Sequence, residues 1–455
     1  MPPDDAQAPA DASARTVARG VVDAAVTRVA REESGRVIAL LAHRFGDVDL
    51  ADEAVHEALI TALGVWPVQG VPENPAAWLF SVARNGALDR RPRAASARRR
   101  TLAAAPELHA RGFVSRDPAL AFDEGVSAGE EQDMIVDPGS VHDEHLRLVL
   151  LCCHPALDRN TQIALTLRLV GGLSTPEIAA AFLIPETTLA QRIVRAKRKI
   201  RDARIPLSLP ADIDERIDAV LTVLYLIFNE AYLSRGTADA VVRVDLAAEA
   251  IRVTRIVQSL LPDAAEVQGL LALELFQNSR TGARTDVHGD LVLLEEQDRS
   301  SWDRAQIESA NDIVASALAR MDPGPFQVQA LIAAHHANAH TAADTDWPVI
   351  ARLYGQLEAM TGSPIVALNR AVAVAMANGP RAGLDLIDGL DGRDGSGGSP
   401  LLEDYHLLHA ARGELLLRAA EPEAAALAFE RAAALARNPA ERRHLERRLR
   451  EARTR

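Results

Sequence analysis

Leu173-Ser-Thr-Pro-Glu-Ile-Ala-Ala-Ala-Phe-Leu-Ile-Pro-Glu-Thr-Thr-Leu-Ala-Gln-Arg-Ile-Val-Arg-Ala-Lys-Arg-Lys199 reads as two short helices joined by a tight turn. Pro176 behind Thr175 suits the first helical turn after a cap. Ile178, Ala179 and Phe182 supply an inner face, with the small Ala179 where the two helices must approach. Leu183–Glu186 makes the turn, with Leu183 standing where many such turns use glycine for a positive φ. Leu189 and Ile193, at i and i+4, anchor the second helix. That helix turns Thr187, Thr188, Gln191, Arg192 and Arg195 outward. Gln and Arg can bond base edges in a DNA major groove, and Thr can meet phosphates or thymine methyls. Arg198, Lys199 and Arg201 continue as phosphate contacts, and Lys197 counts with the DNA-facing set.

Working outward, the surrounding charge is sorted rather than mixed. The chain of 455 residues carries a net charge of −13, which taken whole argues against nucleic acid. Residues 1–204 account for −2 of it and residues 205–455 for −11. Glu186–Arg204 is +5 and holds the only two lysines, while Ser81–Arg100 is +6 with seven arginines. Between them Asp117–His145 has nine acids and no Lys or Arg. Such runs can be solvated helix faces. Two basic islands in separate helical segments also read as footprints for phosphate backbones.

The second island belongs to Pro75-Ala-Ala-Trp-Leu-Phe-Ser-Val-Ala-Arg-Asn-Gly-Ala-Leu-Asp-Arg-Arg91. Trp78, Val82, Asn85 and Asp89 fall near one stripe, while Leu79, Ala83 and Gly86 can face inward. Arg84 and Arg91 form a neighbouring basic edge. Trp78 suits a core as well as a stacking surface, and Arg, Asn and an aromatic together can hold a separated DNA strand.

The rest of the chain is helical by pattern. Apolar residues make up 48% and aromatics only 4%, which favours stacked helices over a β-sandwich. Val37, Leu40, Leu41 and Arg44 make one helix face, and Ala54, Val55, Ala58, Leu59 and Ala62 continue the pattern. Val65–Pro75 reads as a loop, and the helix from Ala76 is expected to stop before Pro92. Residues 1–19 read as disordered, 20–92 and 141–205 as compact helical units, and 93–140 as an acidic linker. Residues 206–455 read as a helical-repeat domain. There Gly413, Ala425, Phe429 and Ala432 lie at the small–Ala–aromatic–Ala spacing of a tetratricopeptide helix pair, and Leu368–Ile387 looks like another.

Asp49-Leu-Ala-Asp-Glu-Ala-Val-His-Glu-Ala-Leu59, then Trp78–Asp89, then the helix-turn-helix, resemble in that order the two core domains of bacterial sigma factors. The similarity is to the extracytoplasmic-function (group four) type. Leu150-Leu-Cys-Cys-His-Pro-Ala-Leu157, Gly171–Lys199, Leu293–Asp303 and Ala367–Ala373 resemble a subgroup with a long tetratricopeptide-like C-terminal extension.

The resemblance implies an all-α protein that directs transcription initiation. Asp52, Glu53, His56 and Glu57 would dock on the β′ clamp helices of RNA polymerase core, His56 replacing a Gln-like residue of the family. Trp78, Arg84, Asn85, Asp89, Arg90 and Arg91, with the loop before them, would recognise and melt the −10 element. Thr187, Thr188, Gln191, Arg192, Arg195, Lys197 and Arg198 would read −35 from the β flap. The acidic linker would occupy the RNA-exit channel. The size of the C-terminal domain and its −11 charge, apart from the resemblance, lead us to expect a built-in regulator.

No Gly-rich phosphate loop, nucleophile elbow or Ser/His/Asp set stands out, so no enzyme and no cofactor is expected. Cys152-Cys153-His154 lacks a second ligand pair and reads as buried, not as zinc. His336 and His340 share a helical face, but a helix surface with a cap before Trp347 is the plainer reading. No apolar run reaches membrane-spanning length, and no leader pattern appears at the N-terminus. With only two cysteines, a cytoplasmic setting is expected. Two rivals are a stand-alone helix-turn-helix regulator, which would need no Asp49–Asp89 signature, and a metalloenzyme at His336/His340.

Overall fold

The computed structural model describes residues 8–103, 138–182, 184–203, 205–209, 213–233, 246–284, 286, 292–390, 402, 404–436 and 439–454. Among the described residues there are eighteen α-helices and no strand. The chain divides into two compact units, Met1–Val223 and Leu224–Arg455, with helix α8 (Ile213–Leu233) carrying the division.

In the first unit, α1 (Ala8–Phe45), α2 (Val48–Gln69) and α3 (Pro75–Ala103) form one bundle. Gly46, at φ 68°, lets the chain leave α1, and Asp47 caps α2 by accepting from the amides of Asp49 and Leu50 at 2.9 and 3.1 Å. The core joins Val37, Ile38 and Leu41 to Ala51, Ala54, Val55, Ala58 and Ala62, and to Leu79, Ala83 and Ala87. Alanine at the contacts lets these helices approach closely. Leu40 is only half-buried and Arg44 is exposed, so the inner face of α1 is rotated toward Ser34 and Ile38.

Several expected boundaries move. The loop expected from Val65 shrinks to 70–74, because α2 runs through Pro67. That proline sits in the last turn, and the carbonyl it leaves without an amide belongs to the exposed Leu63. Helix α3 passes Pro92 and reaches Ala103, and α1 already begins at Ala8 inside the segment expected to be disordered. Ala and Arg are strong helix formers, and the carbonyl that Pro92 leaves without its amide belongs to the exposed Leu88. Of the acidic linker, 93–103 and 138–140 are helical, and the stretch between lies outside the described residues.

The second bundle of this unit comprises α4 (Pro138–Cys152), α5 (Arg159–Leu165), a π-helical turn Thr166–Val170, α6 (Thr175–Ala181) and α7 (Glu186–Asp202). Asp158 caps α5 through the Thr161 amide at 3.0 Å. Cys152 and Cys153 are both buried, and burial pushes the Cys153 thiol up to about 11, so neither is a reactive thiolate. Gln162 Nε2 donates to the carbonyls of Cys153 and His154 at 3.0 and 2.9 Å, which holds this corner of the chain in place.

In the second unit, α9 (Leu246–Leu260), α10 (Ala265–Ser279), α11 (Arg304–Leu318), α12 (Pro325–Asn338), α13 (Trp347–Thr361), α14 (Pro364–Asn378), α15 (Pro380–Leu390), α16 (His406–Arg418), α17 (Pro422–Leu435) and α18 (Pro439–Thr454) follow in order. α12 packs most on α10, and from α13 on each helix packs mainly on its sequence neighbours, the arrangement of a helical solenoid. Prolines open these helices instead of ending them: Pro325, Pro364, Pro380, Pro422 and Pro439 each occupy the first helical position, where no amide bond is lost. Gly413 meets the Phe429 ring so closely that a Cβ there would lie 2.8 Å from it, and Ala425, Phe429 and Ala432 are wholly buried beside it. Leu368, Ala371, Ala375, Leu384 and Ile387 form the matching contact of α14 with α15. No helix among the described residues is long and apolar enough to cross a membrane.

Candidate nucleic-acid interface

Helix α6 starts one residue earlier than the sequence suggests. Ser174, not Thr175, is the cap: its hydroxyl accepts from the Glu177 amide, and Glu177 accepts from the Ser174 amide at 2.8 Å and hydroxyl at 2.7 Å. This reciprocal box fixes the first turn. The Ile184 amide donates to the Ala179 carbonyl at 3.1 Å and closes the turn into α7; Leu183 itself lies outside the described residues. Along α7, Leu189, Ile193, Ala196 and Ile200 are buried at i, i+4, i+7 and i+11. The opposite face therefore presents Thr187, Thr188, Gln191, Arg195 and Arg198, all exposed, with Arg192 half-buried at its edge. Arg198 is held by Asp202 at 3.2 Å, an exposed pair worth little.

Lys197 departs from this set. Its Nζ points away from the open face and donates to Asp52 Oδ2 at 2.6 Å and Asp49 Oδ1 at 3.1 Å, both on α2. Lys197 and Asp52 are buried, their side chains 9% and 8% exposed, while Asp49 is half-buried. Arg168 reaches the other oxygen of Asp52 at 3.3 Å, and Arg201 reaches Asp49 at 3.3 Å. Burial alone would lower the pKa of the Lys197 ammonium, but Asp52 and then Asp49 outweigh it and hold it above its ordinary value. Removing one member of such a pair typically costs about 3–5 kcal/mol, because the other charge is left buried.

The residues expected to meet polymerase divide in the same way. Asp52 is buried under Lys197, while Glu53, His56 and Glu57 are exposed on α2. Desolvation of the His56 ring, with Arg168 beside it, lowers its pKa, so at neutral pH it is an uncharged hydrogen-bonding group.

On α3, Asn85 and Asp89 are exposed and Trp78 is half-buried, its ring edge-on to the buried Trp66 at 5.3 Å. Trp78 thus serves the core and still offers an edge. Arg84 is buried, with its guanidinium 3.5 Å from Asn85 Oδ1, and so does not form an open basic edge. Arg90 bridges back to Glu53 at 3.2 Å and to Glu57. The side chain of Arg91 lies outside the described residues.

Asp49, Arg168, Arg201 and the Arg31–Glu177 pair at 3.3 Å complete a contact that sequence reasoning missed. One signal was available: Lys197 is four residues after Ile193, on the inner stripe.

The other candidates resolve locally. Asp346 caps α13 through the Val349 amide at 3.1 Å, the role expected before Trp347, and Asp344 accepts from the Thr341 amide and hydroxyl. The His336 ring packs edge-on to Trp347 at 5.2 Å, and burial pushes its pKa down to about 4. Arg299 donates to the carbonyls of His336 and Ala339 at 2.6 and 3.0 Å and to the Thr345 hydroxyl at 3.3 Å, tying the Leu293–Asp303 motif to α12. Among the described residues no group of three or more His, Cys, Asp or Glu side chains is placed to hold a metal.

Comparison with known proteins follows the same division. Residues 29–97 match the model of sigma-70 region 2, residues 147–200 that of sigma-70 region 4, and residues 216–318 a family of unknown function, DUF6596. An uncharacterized protein of Rhizobium meliloti (strain 1021) is 41% identical over 403 residues, which cover 87% of this chain and 88% of that one. No solved structure matches the chain. With a capped helix-turn-helix inside the region 4 match and the α1–α3 bundle inside the region 2 match, the chain belongs to the RNA polymerase sigma factors, in an extracytoplasmic-function-like architecture with a helical C-terminal extension.

Proposed function

We propose that the protein binds RNA polymerase core and directs it to promoters, reading −35 with the open face of α7 and melting −10 with α3. One observation carries the reading most. The face of α7 opposite the buried Leu189–Ile193–Ile200 stripe presents Thr187, Thr188, Gln191 and Arg195 together, with Arg192 at the edge. These side chains suit base edges and phosphates of a major groove. On the −10 side, Trp78, Asn85 and Asp89, with the loop at 70–74, form the surface that would hold a flipped base, a step costing a few kcal/mol without a pocket. Arg84 would support Asn85 from behind, and Arg90 and Arg91 would contact phosphate. Exposed Glu53, His56 and Glu57 would meet the β′ clamp helices, and the second bundle would sit on the β flap.

The protein would work in the cytoplasm with core polymerase and without catalytic chemistry or a cofactor of its own. The C-terminal unit, carrying most of the acidic charge, would regulate it by contacting the basic −35 reader or the polymerase. Run-off transcription with core polymerase, on DNA from upstream of the protein's own gene, tests these points together. The full chain should produce a discrete transcript. Arg195→Ala should reduce it at least about tenfold, the loss of one good base or phosphate contact, while core binding persists. The chain truncated after Arg204 should differ from full length in yield. DNA binding by the chain alone, with no transcript in the presence of core, would instead identify a stand-alone regulator.

A further inference from the structure

Alternate helices of the C-terminal unit, α12, α14, α16 and α18, contribute to the walls of two adjoining cavities of about 270 and 340 Å³. The two share Leu293, Val372, Ala411 and Glu414. An extended peptide laid along them would meet the chain itself. Leu293 stands in the wall of both, and its turn is pinned to α16 by Glu295, which accepts two hydrogen bonds from Arg418 at 2.8 and 2.7 Å. What stays open is a pair of compartments of small-molecule size rather than a continuous groove.

The smaller cavity has mostly apolar walls, among them Leu294, Trp347, Val372, Met376 and Leu415. The charges beside them do not cancel. Glu295 is taken by Arg418 at 2.7 Å and Glu414 by Arg448 at 2.6 Å. Arg299, at the 3₁₀ turn Arg299–Ser301, is the exception. It is 6% exposed and forms no ion pair among the described residues. Its guanidinium donates to neutral acceptors, two backbone carbonyls and the Thr345 hydroxyl, and its buried Nε has no partner. Burial works most against its charge. Asp344 favours it but holds Thr341 with its carboxylate, while Arg280 and Arg304 oppose it, and the balance lowers the pKa. Buried charges are ordinarily paired. In the same wall His336 is uncharged at neutral pH, and its buried Nδ1 also has no partner.

We propose that this cavity binds a small organic anion, a carboxylate on an apolar body, with Arg299 supplying the countercharge and Trp347, Val372 and Met376 holding the body. Arg299 is set in advance for that task. Three hydrogen bonds and the Trp302 ring, 5.0 Å from the guanidinium carbon, fix it, so little freedom is lost when an anion arrives. A carboxylate also makes the stronger, charge-assisted kind of hydrogen bond with a guanidinium. The site lies within the C-terminal unit and is independent of the promoter-recognition reading; under that reading it gives the regulator a chemical input.

Phenylacetate and octanoate, each compared with its uncharged primary amide, are suitable probes for titration calorimetry on the full chain. At least one of the acids should bind with a Kd of about 1 mM or tighter, and its amide about tenfold more weakly, the worth of one hydrogen bond to a charged group. Val372→Trp, which fills the cavity without removing a polar group, should abolish binding of the acid. Arg299→Gln should bring acid and amide to equal affinity. Scanning calorimetry checks that each variant is folded; if either is not, the comparison of acid with amide on the unaltered chain decides. Failure of both acids to bind, equal affinity of acid and amide, or unchanged binding by folded Val372→Trp protein would overturn the proposal.

Discussion

The contact of α7 with α2 and the contact of α16 with α17 join helices by opposite means. The first is charged: Lys197 lies between two carboxylates, and the residues it joins are 145 or more positions apart in sequence. The second is apolar and local, with Phe429 seated on Gly413 and flanked by Ala425 and Ala432. Apolar burial has no partner that a competitor can replace, so the helices of the C-terminal unit stay together. A buried ion pair gains little over solvated charges and can be exchanged for another of the same sign. The first unit joins α7 to α2 through buried charge, while the α16–α17 contact of the second unit is made by packing. One buried acid of the second unit, Glu274 on α10, forms no ion pair among the described residues; burial pushes its pKa well up, against the lowering effects of the Thr254 hydroxyl, which donates to it at 3.1 Å, and of Arg255.

The largest expected effect breaks the apolar side of the comparison. Phe429→Ala should cost about 3–5 kcal/mol, the range for deleting a fully buried aromatic. Calorimetry should show the loss in the transition of the C-terminal unit. A carbodiimide, which joins an ammonium to a carboxylate as an amide, should still link Lys197 to Asp52 or Asp49. Loss of that amide would mean that the two contacts are coupled.

A smaller effect sharpens the role of Glu274. Its folded pKa is raised, so above the ordinary carboxylate value the folded state holds a proton that the unfolded state releases. Its contribution is therefore fully present at low pH and is lost as pH rises toward the folded pKa. Glu274→Gln removes that dependence and should raise the melting temperature by a few degrees at pH 8 and by less at pH 5. Equal shifts at the two values would show that the carboxyl is ionised in the fold.

The helix-turn-helix was legible because its signals are local. A cap, a turn and a 3.6-residue stripe fall within 27 residues, and Leu189 and Ile193 lie where the pattern puts them. The pair Gly413 and Phe429 was legible for the same reason. Pro92 misled because a proline ends a helix only where the lost bond and the ring are costly, and beside exposed Leu88 in an Ala/Arg-rich helix they are not. Lys197 was placed with the DNA face on its charge, although its spacing from Ile193 put it on the inner stripe. Its partners Asp49 and Asp52 are reached only through the tertiary fold, which nothing local announces. Arg84 was given a surface role by its type and Asp52 by the resemblance, and each is buried.

With the function proposed above, this chain and core polymerase together open promoter DNA. Permanganate reactivity of thymines around −10 measures that directly. Reactive thymines are expected when both chain and core are present, none with either alone, with protection over −35 in the same complex. Protection of the DNA by the chain alone, with no reactive thymine when core is added, would contradict it.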